Sequence, residues 1–302
     1  MKKIVVLGSI NVDTILNITR LPLPGETMAM HERSNAGGGK GANQAIAAVR
    51  AGAETSFIAK IGQDNAADFM LDTFKEDGLN IEHVTRDQKA GTGQAYILLD
   101  ENGQNSILIY GGANQAITTD DVKAASASIA DADCLITEFE TPLAASTEAF
   151  KIAKENNVLT ILNPAPAKKD IPEELLQLTD IIVPNETEAE AITGIKVTDE
   201  PSMVAAANKL HTMGVKNVII TVGSNGSFYS MNKKTGFVKA YKVQTVDTTA
   251  AGDTFIGYLA SKLNEDLSNV EEAMKFASKA SSITVQTKGA QNSIPHVRDV
   301  EI

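Results

Sequence analysis

The strongest constraint on the fold is a rhythm in which short, largely apolar runs alternate with amphipathic stretches. The runs are Ile4–Leu7, Thr55–Ile61, Ala132–Glu138, Leu159–Leu162, Ile181–Val183 and Val218–Val222. Runs of this length suit strands buried on both faces of a parallel sheet. Helical periodicity fills several of the intervals. Residues 64–77 place Ala67, Met70, Leu71 and Phe74 on one face, with Gly78 as a stop. Residues 202–213 do the same with Met203, Ala206, Leu210 and Met213, and further helices are expected up to about Asn156 and over about 269–286. The expectation is an α/β fold with a central, mostly parallel sheet flanked by helices. A chain of 302 residues has ample length for such a core.

The rhythm fails in two places. Thr14–Ile18 and Thr27–Arg33 are extended in pattern, and the prolines of Pro22-Leu23-Pro24-Gly25 between them exclude a helix. Gln94–Leu99 and Asn105–Tyr110 flank Asp100-Glu-Asn-Gly103, a strong hairpin signal. Neither pair leads into a helix. Together they predict a small four-stranded sheet on the α/β body, a β lid made of about 13–34 and 92–110 within a domain spanning 1–302. Its exposed face would need covering, which a second subunit could do. A further hairpin is expected at Ser227–Met231 and Gly236–Ala240.

Composition removes several function classes. The net charge of −11 argues against nucleic-acid and anionic-membrane binding. No stretch reaches transmembrane length. The N-terminal apolar run is too short for a signal peptide, and Asn11 and Asp13 interrupt it. One cysteine, Cys134, cannot form an internal disulfide, and a reducing cytoplasm fits it. His31, His83, His211 and His296 lack ligand spacing, so no zinc site is expected.

Polar motifs gather just past the strand ends, where open α/β sheets bind ligands. Asn11 and Asp13 follow the first strand, although both residue types also simply favour turns. In Asn35–Gln44, three glycines precede a helix marked by Ala42, Ala45, Ile46 and Val49. The Walker pattern fails there: its first glycine falls on Ser34, and Lys40 is followed by Gly41. Lys40 and Asn43 could bond a polyhydroxylated ligand, or the stretch could be a flexible loop with a solvated lysine. Glu186, Glu188 and Glu190 cluster at a helix start, where the dipole favours acids. They could also hold a water-coordinated Mg²⁺ near phosphates. Last, Val246–Asp253 runs into a helix carrying Phe255, Leu259 and Leu263. Free N–H groups at such a start form an anion site. Asp253 beside them could take a proton from an attacking hydroxyl, or Asp247 and Asp253 could be ordinary loop and N-cap residues.

Taken together and in order, these motifs resemble the ribokinase-like carbohydrate kinases across the whole chain. The resemblance is carried by Gly8-Ser-Ile-Asn-Val-Asp13, Gly37–Gln44, Asn163-Pro-Ala-Pro-Ala167, Pro184-Asn-Glu-Thr-Glu-Ala-Glu190, Asp247–Asp253 and Lys288-Gly-Ala-Gln291. It implies a ribokinase-like fold and phosphoryl transfer from ATP to a sugar hydroxyl, with the 5-hydroxyl of D-ribose the expected acceptor. Fructose, a keto-deoxy sugar acid and a nucleoside are the alternatives, and a non-catalytic sugar-binding protein is a further one. By the same resemblance Asn11, Asp13, Gly39, Lys40, Gly41, Asn43 and Glu140 would bind sugar, and Asp253 would be the base. Ala250, Ala251 and Gly252 would form the anion hole. Asn185, Thr221, Gly223, Ser224, Gly226, Gly252 and Ser278 would face ATP, with Glu188 near Mg²⁺. Asp247, Thr249, Thr284, Thr287, Gly289 and Ser293 would hold a monovalent cation, K⁺ expected, largely through backbone carbonyls. A homodimer paired through the lid is implied as well.

Overall fold

The computed structural model describes residues 1–232 and 234–300. Its strands, in chain order, are β1 (Lys3–Leu7), β2 (Asn11–Asn17), β3 (Glu32–Gly38), β4 (Glu54–Ile61), β5 (Val84–Arg86), β6 (Gly93–Leu99) and β7 (Asn105–Tyr110), then β8 (Cys134–Thr137), β9 (Leu159–Leu162), β10 (Ile181–Ile182), β11 (Asn217–Thr221), β12 (Gly226–Met231) and β13 (Lys234–Lys239). The helices are α1 (Lys40–Arg50), α2 (Asn65–Glu76), α3 (Thr119–Ala124), α4 (Ser126–Ala130), α5 (Leu143–Glu155), α6 (Glu173–Gln177), α7 (Glu186–Thr193), α8 (Glu200–Thr212), α9 (Ala251–Lys262) and α10 (Val270–Thr284). The central sheet has the order β13-β12-β11-β10-β9-β8-β1-β4-β5. It is parallel from β11 to β5, and β12 and β13 are antiparallel.

Strands buried on both faces feed two cores. In β1, Ile4 and Val6 join the layer of α1, α2, α9 and α10, with Ile46, Phe74, Phe255 and Met274. Val5 and Leu7 point the other way, to Phe150, Leu175, Met203 and Leu210. The period-2 alternation of a strand therefore separates the two cores. Sequence patterning misses β5 and the short helices α3, α4 and α6, which are too brief to show a period.

The second sheet has the order β3-β2-β6-β7. Its strands differ from expectation at the β3 position: residues 27–31 lie outside any strand, and β3 runs on through Gly37 and Gly38. Pairing explains the shift, because β2 binds β3 from Asn17↔Glu32 to Asn11↔Gly38. The glycines serve close approach inside a strand rather than loop freedom. A Cβ on Gly38 would stand 2.4 Å from the Asp13 carboxylate, and one on Gly37 would stand 2.1 Å from Gln291 Oε1.

Helices α1 and α9 cross in contact at another glycine. A Cβ on Gly257 would lie 2.5 Å from Ala47 Cβ and 2.7 Å from Ala48 N. Gly257→Val should therefore cost about 1–3 kcal/mol of stability by overpacking. Urea denaturation checks this; an unchanged midpoint would mean that the crossing is looser than described.

Candidate active site

A cleft of about 760 Å³ opens at the C-terminal ends of the strands, under the inner face of the small sheet. Ile15, Ile97, Ile107 and Ile109 line it from the lid side. The base of β2 adds Asn11 and Asp13, and from the body come Gly39, Lys40, Asn43, Glu140, Asn185, Glu188, Thr221, Asp247, Thr249, Ala250, Gly252, Asp253 and Gly289. Most of the expected site residues thus converge from distant parts of the chain. Gly41, Ala251, Gly223, Ser224, Gly226, Ser278, Thr284, Thr287 and Ser293 do not line it.

Several of those have a structural reason to be where they are. A Cβ on Gly41 would come within 2.4 Å of Ser9 N, so this glycine lets α1 rest on the end of β1. Gly226, at φ +130°, would collide with Val238 O in the β12–β13 hairpin. Gly223 has φ +52° and open space around it, and with Ser224 it forms an exposed turn after β11. Ser278 is buried on α10.

At the start of α9, Ala250 adopts a left-handed conformation, φ 61°, and stands as the N-cap residue. A non-glycine residue there costs about 1–2 kcal/mol, so the turn is held by its surroundings. Ala250 O accepts from Thr254 N at 2.8 Å, and Ser281 of α10 donates its hydroxyl to Ala251 O at 2.8 Å. Ala251 N–H is committed to Thr248 O at 3.2 Å. Among the described residues the N–H groups of Ala250, Gly252 and Asp253 have no hydrogen-bond partner, while a turn of residues 248–251 occupies that of Ala251.

Asp253 is not the N-cap and makes no cap bond. Its buried carboxylate accepts from Asn43 Nδ2 at 3.0 Å and Gln44 Nε2 at 2.9 Å, both on α1. Asn43 Oδ1 has no hydrogen-bond partner among the described residues, which leaves a buried acceptor at the cleft. Glu140 accepts from Ser9 Oγ at 2.5 Å, Lys40 N at 3.2 Å and Asn11 Nδ2 at 3.5 Å. Asn114, which sequence reasoning missed, donates to Asn11 Oδ1 at 2.9 Å and so turns the Asn11 amide nitrogen toward Glu140. Glu138 lies fully buried behind them, accepting from Ser9 N at 2.6 Å and from Glu140 N. Burial, and then the charge of Glu140, pushes its carboxyl well above the usual range.

Charge in the cleft is concentrated and mostly acidic. Burial opposes ionisation of Lys40, yet the carboxylates of Asp253, Glu140, Glu188 and Glu138 hold its ammonium above the ordinary lysine value. Glu188 and Asn185 form a capping box at α7, with Glu188 N donating to Asn185 Oδ1 at 2.8 Å and Asn185 N to Glu188 Oε2 at 2.9 Å. Burial raises the Glu188 carboxyl. No group of three or more His, Cys, Asp or Glu side chains is placed to hold a metal among the described residues. Both Glu188 carboxylate oxygens are engaged by Asn185. Asp247 accepts from Thr249 N at 2.9 Å, Thr249 Oγ1 at 2.7 Å and Gly289 N at 2.9 Å, and these bonds outweigh its burial and keep it below the usual carboxylate range. Val246 N–Val285 O, 2.7 Å, ties the same two loops together. Thr284 and Ser293 turn their hydroxyls inward, to Thr254 and to Ala290 O.

Burial, reinforced by Glu140, raises Asp13 to about 7 from its ordinary 3.8. The folded chain thus holds a proton there that the unfolded chain releases, and stability falls as pH rises from about 4 to about 7. Asp13→Asn should raise the melting temperature more at pH 8 than at pH 5, measured by thermal scans without ligand. An equal gain at both values would refute the shift.

Comparison with known proteins follows the same lines. A family model described as pfkB family carbohydrate kinase matches residues 1–297. A ribokinase of Staphylococcus aureus is 50% identical over 99% of this chain and 98% of its own length. A bifunctional ribokinase/ribose-5-phosphate isomerase A of Fructilactobacillus sanfranciscensis is 56% identical over 98% of this chain, which spans only 55% of that longer protein. The structure of Arabidopsis thaliana ribokinase complexed with ribose and ATP superimposes with a TM-score of 0.92 at 33% identity, covering 99% of this chain and 97% of that one. The central sheet with its separate small sheet is the ribokinase-like fold. The chain belongs to the pfkB family of carbohydrate kinases.

Proposed function

We infer that the chain is an ATP-dependent ribokinase, transferring the γ-phosphoryl group to the 5-hydroxyl of D-ribose. The observation that carries this reading is the pairing of the buried Asp253 carboxylate with free N–H groups at the start of α9, inside a cleft rich in sugar-bonding groups. Similarity to ribokinases over nearly the whole chain supports ribose as the acceptor.

The chemistry follows from the placement. Asn11, Asp13, Asn43 and Glu140 offer acceptors and donors suited to hydroxyl groups, and Asn43 Oδ1 stands ready to accept. Asp253 takes the proton as the hydroxyl attacks phosphorus. The N–H groups of Gly252 and Asp253, with Lys40, gather the negative charge that develops on the transferred group. Asn185 and Thr221 occupy the nucleotide side of the cleft. The lid above excludes water, which would otherwise hydrolyse ATP. Mg²⁺, when bound through water near Glu188, supplies charge neutralisation on the phosphates. The Asp247 carboxylate and the backbone carbonyls of its own loop and the Gly289 loop would supply oxygen ligands beside the α9 turn for a monovalent cation such as K⁺, which would stiffen the anion hole. Cys134 is fully buried, and burial pushes its thiol up to about 12, so it takes no part.

Turnover of ATP with ribose, 2-deoxyribose, fructose and a nucleoside, with and without K⁺, tests the reading. Ribose should give the highest kcat/KM, and removal of K⁺ should lower it. Asp253→Asn should retain ribose binding and lose roughly 10²–10⁴-fold in kcat. An absence of sugar-dependent ADP release from the wild-type chain would sink the assignment.

The lid also supports a dimer. Strand β7 exposes Ile107, Leu108, Ile109 and Tyr110, at 50–65% of their surface, on a small sheet whose β7 edge has no partner among the described residues. A second copy of the lid covers it in this reading. Leu108→Asp should yield a monomer by sedimentation velocity, whereas an unchanged dimer or a monomeric wild type would argue against lid pairing.

A further inference from the structure

Gln44 follows Asn43 on α1, is fully buried, and does not line the cleft. Its amide nitrogen donates to Asp253 Oδ1 at 2.9 Å and to Asn163 Oδ1 at 3.0 Å. Asn163 in turn donates through Nδ2 to the Val183 carbonyl at 3.2 Å. The direction of this chain is set by its far end. A backbone carbonyl can only accept, so Asn163 must present its oxygen to Gln44. Gln44 must then present its nitrogen to both Asn163 and Asp253.

The orientation has a cost that a structural role does not explain. Gln44 Oε1 is buried and has no hydrogen-bond partner among the described residues. Turning the amide over would set that oxygen against the acceptors of Asp253 and Asn163, so the unpaired state persists. An apolar side chain of similar shape would remove that unpaired acceptor, at the expense of the donor that Asn163 Oδ1 and Asp253 Oδ1 now share. What such a side chain cannot do is donate to a carboxylate.

We propose that Gln44 is the positioning residue of the base: it orients the Asp253 carboxylate from behind, while Asn43 does so from the cleft side. The Asn163–Val183 link fixes Gln44 in its turn. The inference rests on the reading of Asp253 as base. Lys40 on α1 and Glu188 on α7 are the charged groups facing Asp253, and both remain unchanged in the variants below.

The test is the pH dependence of kcat in wild type, Gln44→Met, Gln44→Glu and Asp253→Asn, with ribose KM measured alongside. Loss of an N–H donor to a carboxylate favours its protonated form, so the acid limb of the kcat profile should move to higher pH by about one unit in Gln44→Met. Its kcat should fall roughly 10–100-fold, within the range of a misplaced general base. Ribose KM should stay within about threefold, because uniform binding is untouched. Gln44→Glu keeps the size and can donate one hydrogen bond only in its protonated form, and it is read by the same criteria if Gln44→Met does not fold. There the acid limb should move further, since neighbouring carboxylates resist joint ionisation. A lowered melting temperature with a wild-type kcat profile would assign Gln44 to packing and overturn the inference alone. Near-wild-type turnover in Asp253→Asn would remove the base reading, and this inference with it.

Discussion

The site depends on a junction between two helices far apart in sequence. Asn43 and Gln44 on α1 reach Asp253 on α9 across 210 and 209 positions. Those bonds form only because the helix bodies touch, and they touch because Gly257 leaves room for Ala47 and Ala48. A packing decision inside an apolar layer thereby sets the position of a carboxylate to within hydrogen-bond tolerance. Small residues along α1, including Ala42, Ala45, Ala47 and Ala48, serve the same end. Bulk would stabilise each helix alone and separate the pair.

The site also resolves an electrostatic difficulty. The chain carries a net charge of −11, yet the reaction concerns polyanions. Attraction is therefore local rather than global. It comes from backbone N–H groups at the start of α9 and from Lys40, whose charge the surrounding acids preserve against burial. Those acids need the lysine as much as it needs them. Without it, Glu140, Glu188 and Asp253 would share the cleft with Lys288 as the cation left in its lining.

Much of the architecture could be read from the sequence because burial and periodicity are local signals. Ile4–Leu7, Leu159–Leu162 and the hairpin around Asp100–Gly103 fall where their patterns place them. The β3 strand was displaced because glycines read as loop formers, and only pairing with β2 reveals them as strand residues. Site residues with exposed polar chemistry in motif order were visible. Gln44, Asn114, Asn163 and Glu138 were not marked as site residues. Each is bonded to other parts of the protein, and such a role depends on contacts in the folded chain that spacing does not encode. The engagement of Ala251 N–H by a turn of residues 248–251 is a further feature that residue order does not reveal.

The small sheet joins the body at a telling place. Strand β2 leaves the body at Asn11 and β3 returns at Gly38, two residues before Lys40. Its pivot is thus built from the residues that line the floor of the cleft. As in a door whose hinge pins also carry the latch, any rotation about this junction would displace the tip, near Asn17 and Leu99, far more than Asn11, and would leave the floor of the cleft in shape.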